Sequence, residues 1–484
     1  MPPLRICQVA AEVTPFAKTG GLGDVVAGLS RQLDRDGHDA RIFLPFYGHL
    51  SRQPDGFTVV EALRGISLWM GPRHFEISVL TKKLPDSEVD VYFLLCPELY
   101  TAEGIYHGDW ADGLRFAVLV RGALECCQRL AWAPDILHAH DWHTALAPLY
   151  LKTHYAWDRL FDRTRTVLTI HNQGFQGLVD RSALEGLGLA GHAFWLDTMD
   201  LQAGHVNFLK TGMLHADAIT AVSRTYVAEI QTAAQGFGLD WLLRARSPRL
   251  FGIVNGVDYG EWSPETDPHI PHTFSADDLT GKREMKRALL READLEDTDA
   301  PVIGIVSRLT MQKGFDLCFQ ALPALLARRD FRLVALGSGE PRFEEFFQWL
   351  QRRFAGRVWF YRGYNNPLAH RIEAGADLFL MPSRYEPCGL NQMHSLRYGT
   401  PPVVRRTGGL ADTVEPWKPS AGTGTGFLFD QLTPEALIGT LDFALDSYQD
   451  REGWRRLMLN GMAKDYSWEV QAREYVELYR RFAG

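Results

Sequence analysis

Cysteine is scarce: the 484 residues hold six, Cys7, Cys96, Cys126, Cys127, Cys318 and Cys388. None stands in a CxxC pair, and so few in so long a chain make no disulfide framework; they read as reduced thiols of a cytoplasmic protein. Long apolar runs are missing too. No segment is apolar enough, for long enough, to span a bilayer. The opening MPPLRICQVAAEV has no apolar core before a cleavage site and reads as a first strand, not a signal peptide. There is no basic excess: 51 Lys and Arg stand against 59 Asp and Glu, a net charge of -8. That balance gives no general reason to bind nucleic acid or an anionic membrane, although a local basic site for a small anion is compatible with it. Short-period repeats and low-complexity tracts are absent as well.

What is there is alternation. Strand-like runs LRICQVA, DARIFLPFY, PDILHAH, TRTVLTIHN and ADAITAVS are separated by helix-compatible intervals. This is the pattern of parallel strands covered by helices on both faces. Between about Ser51 and Cys96 it weakens, and FEISVLTKKL and VDVYFLLC are expected as antiparallel additions. A second series, PVIGIVSRL, FRLVALGSG, RVWFYRGY, ADLFLMPS and TPPVVRR, follows the Gly-, Pro- and Asp-rich stretch LFGIVNGVDYGEWSPETDP. The length exceeds one ordinary core. The expectation is an α/β protein of two Rossmann-like domains, 1–254 and 255–464, hinged near Asn255 to Pro264. The segment WEVQAREYVELYRRFAG has helical periodicity with an aromatic and apolar stripe.

Polar clusters sit where strand-like runs end. FAKTGGLGDVVAGLSRQL follows the first strand and opens a helix. It is neither a GxGxxG fingerprint nor a Walker loop, so it does not favour a nicotinamide cofactor or phosphoryl transfer from ATP. Gly20 and Gly21 let a backbone approach a phosphate, Lys18 adds a point charge, and Asp24 suits a sugar hydroxyl. The alternative is a structural glycine turn with Lys18 merely exposed. In HAHDWHTALAP, His138, His140 and His143 do not have a clear zinc spacing. Asp141 there is either a helix N-cap or a group pointing into the ligand crevice beyond the strand. TIHNQGFQG places His171 and Asn172 at another strand end. GIVSRLTMQKG places Arg308 and Lys313 where a diphosphate needs cations. MPSRYEPCGLNQMHSLRYG places Glu386 before a turn, as a sugar ligand, a cap or a surface acid. Gly389 and Leu390 then offer helix-start N–H groups, and RRTGGLADTV adds a glycine turn at Thr407, Gly408 and Gly409.

Taken in order, KTGGLGDV, HAHDWHTAL, TIHNQGFQG, NGVDYGEWSPETD, SRLTMQKGFD, SRYEPCGLNQM and YGTPPVVRRTGGLADTV resemble the motifs of bacterial glycogen synthases and plant starch synthases, from about Ile6 to Trp468. The resemblance implies a GT-B architecture, two Rossmann-like domains facing each other across a deep cleft, with residues 465–484 as a helix crossing back to the first. It implies an ADP-glucose:α-1,4-glucan 4-α-glucosyltransferase of glycogen biosynthesis, which retains configuration at the non-reducing end of its glycogen or α-1,4-glucan acceptor and releases ADP. It implies neither cofactor nor metal. On matching positions, Lys18 meets the donor diphosphate, Arg308 and Lys313 hold it from the second domain, and Glu386 binds glucose hydroxyls. His171 contacts the glucose, Asp141 the acceptor-side sugar, Tyr364 the adenine, and Asn255 a sugar at the domain junction. His394 departs from many related glycosyltransferases, which carry a second glutamate eight residues after the first and use it on ribose.

Two other readings stand beside this one. The first is a retaining transferase of the same fold that uses UDP-glucose or a small acceptor. The second is a non-catalytic glucan-binding relative, against which the presence of Lys18, Asp141, Arg308, Lys313 and Glu386 argues. A pyridoxal-dependent phosphorylase shares the fold, but no motif for its cofactor lysine is found.

Overall fold

A computed structural model describes residues 2–52, 55–102, 104–108 and 110–483. The chain divides into two compact units, Met1–Gly256 with Trp468–Gly484, and Val257–Ser467.

The first unit is built on a long sheet whose centre is parallel. In spatial order its strands are Leu250–Gly252, Ala218–Ala221, Arg165–Ile170, Ile136–His140, Arg5–Val9, Asp39–Pro45, Asp90–Leu95, Arg73–Lys83 and Thr58–Val59, with Ile66–Met70 paired to Arg73–Lys83. The central strands are near-continuous apolar runs, as burial on both faces requires; in Ile136–His140 every residue is buried. Arg73–Lys83 is antiparallel to its neighbours, as expected for FEISVLTKKL. Asp90–Leu95 meets the expectation for VDVYFLLC on one edge only: it is antiparallel to Arg73–Lys83 but pairs parallel with Asp39–Pro45, from Arg41↔Asp90 to Pro45↔Leu94. The antiparallel hairpin before it hides this, because a parallel strand reached through a hairpin has no crossover helix immediately ahead of it.

The second unit has a six-stranded, wholly parallel sheet. Its order is Val358–Arg362, Arg332–Gly339, Val302–Leu309, Leu378–Met381, Pro402–Arg405 and Phe427–Phe429. In chain order that is 3-2-1-4-5-6, the doubly wound arrangement. Period-two alternation fills both faces. Ile303, Ile305, Leu333 and Ala335 pack on one side with the helices Cys318–Leu326 and Pro341–Arg353. Val302, Val334 and Leu336 pack on the other with Leu289, Leu368 and Ile372.

The helix Trp468–Ala483 belongs to the first unit. Ala472, Tyr475 and Tyr479 are fully buried in the core that includes Ile6, Leu29 and Leu33. Trp468 sets how close its neighbours come. A Cβ at Gly28, inside the helix Gly21–Arg35, would lie 1.9 Å from Trp468 Nε1, and one at Gly256 would lie 2.4 Å from Trp468 Cδ2.

Gly28→Val should therefore destabilise the first unit by about 1–3 kcal/mol, the usual cost of overpacking, because the indole has to move. Gly20→Ala is the control: its Cβ meets nothing within 4 Å, so it should cost less than about 1 kcal/mol. Urea unfolding followed by tryptophan fluorescence measures both.

Candidate active site

In each unit the polar residues gather at the carboxyl ends of the two strands where the winding reverses, the place where open parallel sheets bind ligands. In the first unit these strands are Arg5–Val9 and Ile136–His140, which pair directly.

The loop after Arg5–Val9 is organised by Glu12. Its buried carboxylate accepts from Thr19 N (2.7 Å), Gly20 N (3.0 Å), Thr19 Oγ1 (2.7 Å) and Tyr106 Oη (2.6 Å). Four donors on one carboxylate are what a buried acid needs. Gly20 thus spends its N–H on Glu12, and Gly21 starts the helix. Gly20 is extended, and a Cβ there would point into open space. Lys18 Nζ donates to Asp24 Oδ1 at 2.8 Å, as does Thr14 Oγ1 at 2.8 Å, so Asp24 is the partner of Lys18. Tyr106 also stacks on His143, 4.8 Å between ring centres, which joins this loop to the next strand end.

Ile136–His140 ends in a sharp turn. Asp141 has φ +54°, the left-handed region that Asp tolerates better than most residues. The N-cap reading of Asp141 fails, because His140 holds that position. The Asp141 carboxylate instead accepts from the backbone of the next strand end, His171 N at 2.7 Å and Asn172 N at 3.2 Å. Burial pushes its carboxyl up to about 7, against the pull of those two N–H groups. The histidines respond in the opposite sense. Burial holds His138, His143 and His171 down at about 3, and His140 well below its ordinary value, so all four are neutral at pH 7. Both nitrogens of His138 and of His140 are engaged in hydrogen bonds within the protein. Among the described residues no group of three or more His, Cys, Asp or Glu is arranged to hold a metal ion. Asn255 lies in this unit, buried, with Oδ1 unpartnered.

In the second unit the reversing strands are Val302–Leu309 and Leu378–Met381. Arg308, at the end of the first, is exposed and has no ion-pair partner among the described residues. Lys313 follows in a short turn closed by Gly314 at φ +72°, where a Cβ would lie 2.0 Å from Pro382 O. That close approach brings Lys313 Nζ within 2.6 Å of Glu386 Oε2, which also accepts from Ser383 Oγ at 2.9 Å. The two loops are laced elsewhere: Arg384 N donates to Gln312 O (2.8 Å), and Arg384 pairs with Asp316. Gly408 has φ +44° and stands where a Cβ would lie 1.9 Å from Glu386 O. Gly409 N donates to that same oxygen at 3.1 Å, and Thr407 holds the N-cap position of the helix Gly408–Thr413 without a side-chain capping bond. Gly389 has φ +75°, and Leu390 is the N-cap of Asn391–Arg397. Gln392 Nε2 ties the turn together through Cys388 O, Gly389 O and Thr413 Oγ1.

Tyr364 follows the strand Val358–Arg362 and is 74% exposed; its hydroxyl donates to Asn366 Oδ1 at 3.0 Å. His394 is buried face to face with Trp262, 3.9 Å between ring centres, and Trp262 stacks on His370 at 3.7 Å.

Glu12, Tyr106 and Ser383 were not singled out in the sequence. An acid just after an apolar strand and six residues before Lys18 was a usable signal for Glu12; Tyr106 has none, being 94 positions away.

Known proteins match along the whole chain. A family model described as the starch synthase catalytic domain matches residues 5–245, and one described as glycosyl transferases group 1 matches residues 286–456. A glycogen synthase of Koribacter versatilis (strain Ellin345) is 45% identical over 482 residues, 99% of this chain and 98% of that relative. The catalytic domain of starch synthase IV from Arabidopsis thaliana, solved bound to ADP and acarbose, superposes with a TM-score of 0.91 at 33% identity, covering 100% of both chains. Sucrose-phosphate synthase from Thermosynechococcus elongatus shares the fold at a TM-score of 0.63 and 17% identity, over 99% of this chain and 98% of its own. Among the described residues no helix is long and apolar enough to cross a membrane. The chain belongs to the glycogen synthase and starch synthase family of GT-B glycosyltransferases, the enzymes that lengthen α-glucans by glucosyl transfer.

Proposed function

We propose that the donor is ADP-glucose and that glucose passes, with retention, to the non-reducing end of an α-1,4-glucan. The observation that carries this reading is the Lys313–Glu386 pair at the strand reversal, a cation and an acid 2.6 Å apart, with Arg308 on the adjoining strand end. A nucleotide sugar needs both: positive charge for the diphosphate and a hydrogen-bond acceptor for sugar hydroxyls. Lys313 has three donors, so contact with Glu386 leaves others for phosphate.

In the reaction the bond from the glucose anomeric carbon to the diphosphate oxygen breaks, and ADP leaves with the electron pair. The acceptor hydroxyl bonds to the same carbon, and its proton goes to the departing phosphate. Arg308 and Lys313 stabilise the charge that develops on ADP, and Lys18 adds to them. Glu386 orients the glucose through its hydroxyls. Gly389, Leu390, Thr407, Gly408 and Gly409 form the turns around it. Asp141 takes an acceptor-side hydroxyl, His171 a glucose hydroxyl, and Asn255 a further sugar contact. Tyr364 presents an exposed ring for adenine. Stacking of this kind is worth about 1 kcal/mol, a preference and not an exclusion. No step calls for a metal or a cofactor. The six thiols are all buried and none is in a disulfide, which fits the cytoplasm.

Arg308→Ala and Lys313→Ala should each lower kcat by about 100-fold, because one preorganised contact to developing charge is worth about 3 kcal/mol. Initial rates of glucan elongation measure this, with circular dichroism as the check on folding.

Asp141 predicts a pH dependence. Its carboxyl is raised, so the fold favours the uncharged form; the burial cost is absent below the ordinary carboxylate range and fully present above about 7. Its carboxylate, the better acceptor for a sugar hydroxyl, forms as pH rises through about 7. A plot of log kcat against pH should rise through that value in the wild type. Asp141→Asn should be slower and should lose that inflection.

The reading as a whole is tested by glucose incorporation into glycogen from ADP-glucose and UDP-glucose side by side, with the new linkage checked by an α-1,4-specific hydrolase. ADP-glucose should be preferred, without added divalent metal. Preference for UDP-glucose makes the chain a different nucleotide-sugar transferase, and transfer from neither donor leaves a glucan-binding protein.

A further inference from the structure

We propose that Gln8 is a positioning residue: through His140 it fixes which nitrogen of His171 carries the proton, so that His171 meets its sugar with the Nδ1 lone pair. The inference rests on the reading of His171 as a glucose contact.

The protons along a buried row can be counted. Gln8, His138 and His140 are fully buried on neighbouring central strands, with Gln8 in register with His138. His140 Nε2 lies 2.8 Å from Gln8 Oε1, and His140 Nδ1 lies 3.0 Å from His171 Nε2. A carboxamide oxygen only accepts, so His140 Nε2 carries a hydrogen. Burial keeps the ring neutral, so its Nδ1 is bare and accepts. The proton in the 3.0 Å contact therefore belongs to His171 Nε2. His171 is neutral too, which leaves Nδ1 as its acceptor.

The polarity of the row is set by which way the Gln8 amide points. Its Nε2 makes no hydrogen bond, but the Gln8 side chain lies by the Tyr479 phenol of the terminal helix, where its NH2 lowers a pKa that burial raises. Tyr479 Oη sits 2.7 Å from His138 Nδ1, His138 Nε2 sits 2.6 Å from Thr169 Oγ1, and Thr169 Oγ1 sits 2.6 Å from Thr220 Oγ1. With the Gln8 NH2 towards Tyr479, the phenol donates to His138, and His138 donates to Thr169. Turning the amide over reverses every one of these bonds and makes His171 Nδ1 a donor. A sugar hydroxyl placed to donate to a lone pair would then meet an N–H, and one hydrogen bond is lost.

The test reads the tautomer directly. Full-length protein is grown with histidine labelled in the heavy nitrogen isotope, and side-chain nitrogen shifts are recorded without substrate. The His171 signals are assigned by their loss in His171→Gln. The expected spectrum has His171 protonated at Nε2 and bare at Nδ1. Gln8→Met, close in volume but with no acceptor oxygen, should give mixed tautomers at His140 and His171. It should lower kcat by about tenfold, the scale of one hydrogen bond, and change the donor KM little. Tyr479→Phe keeps the ring packing, removes the phenol that bonds His138 Nδ1 beside Gln8, and should shift the same signals. His171 protonated at Nδ1 in the wild type overturns the proposal, as does an unchanged His171 tautomer in both variants. A shifted tautomer with unchanged kcat leaves the proton row standing but removes His171 as a glucose contact, and with it the role of Gln8 in turnover.

Discussion

A parallel strand is left by a right-handed crossover, and that constraint places everything else. Where two adjacent strands send their crossovers to opposite faces of the sheet, neither connection covers the space beyond their carboxyl ends. In the first unit this happens between Arg5–Val9 and Ile136–His140, and in the second between Val302–Leu309 and Leu378–Met381. The Lys18 loop, Asp141, Lys313 and Glu386 are each within a few residues of one of those four ends. The polar groups stand there because it is where a parallel sheet leaves backbone and side chains open to a ligand.

Both units answer the cost of burying polar groups, but differently. Glu12 and Glu386 keep acceptor bonds to several donors, and each is thereby tied to a loop it steadies. The histidines of the first unit give up charge instead and become directional dipoles. Asp141 lies between these cases, with two backbone donors too few to cancel its desolvation.

The regular parts of the fold were legible, and the reason is periodicity. Runs such as LRICQVA, PDILHAH and PVIGIVSRL are mostly apolar because both sheet faces are covered, and each contains a central strand. Leu250–Gly252 and Phe427–Phe429 were not legible, since three residues carry no period. Asp90–Leu95 was legible as a strand and is antiparallel to Arg73–Lys83 as expected, but its parallel pairing with Asp39–Pro45 was not legible, because direction depends on the partner and not on the run. In the polar clusters the residue types were readable at strand ends, while the pairings were not. Lys313 and Glu386 are 73 positions apart, and His138 and Tyr479 are 341 apart. No local pattern states that such residues touch; the meeting is a product of the sheet order and of the terminal helix. The N-cap reading of Asp141 failed for the same reason, as its carboxylate serves a strand end thirty positions on.

The terminal helix has a consequence for synthesis. Ala472, Tyr475 and Tyr479 fill the same core as Ile6 and Leu29, so residues made before the second unit and residues made after it share one interior. A ribosome releases the whole of Val257–Ser467 before it supplies Trp468. The second unit can complete its own sheet on the growing chain, whereas the first must wait with an apolar groove open along the helix Gly21–Arg35. A nascent chain halted before Trp468 would carry a finished later unit and an unfinished earlier one, and the exposed groove is where a chaperone would find it.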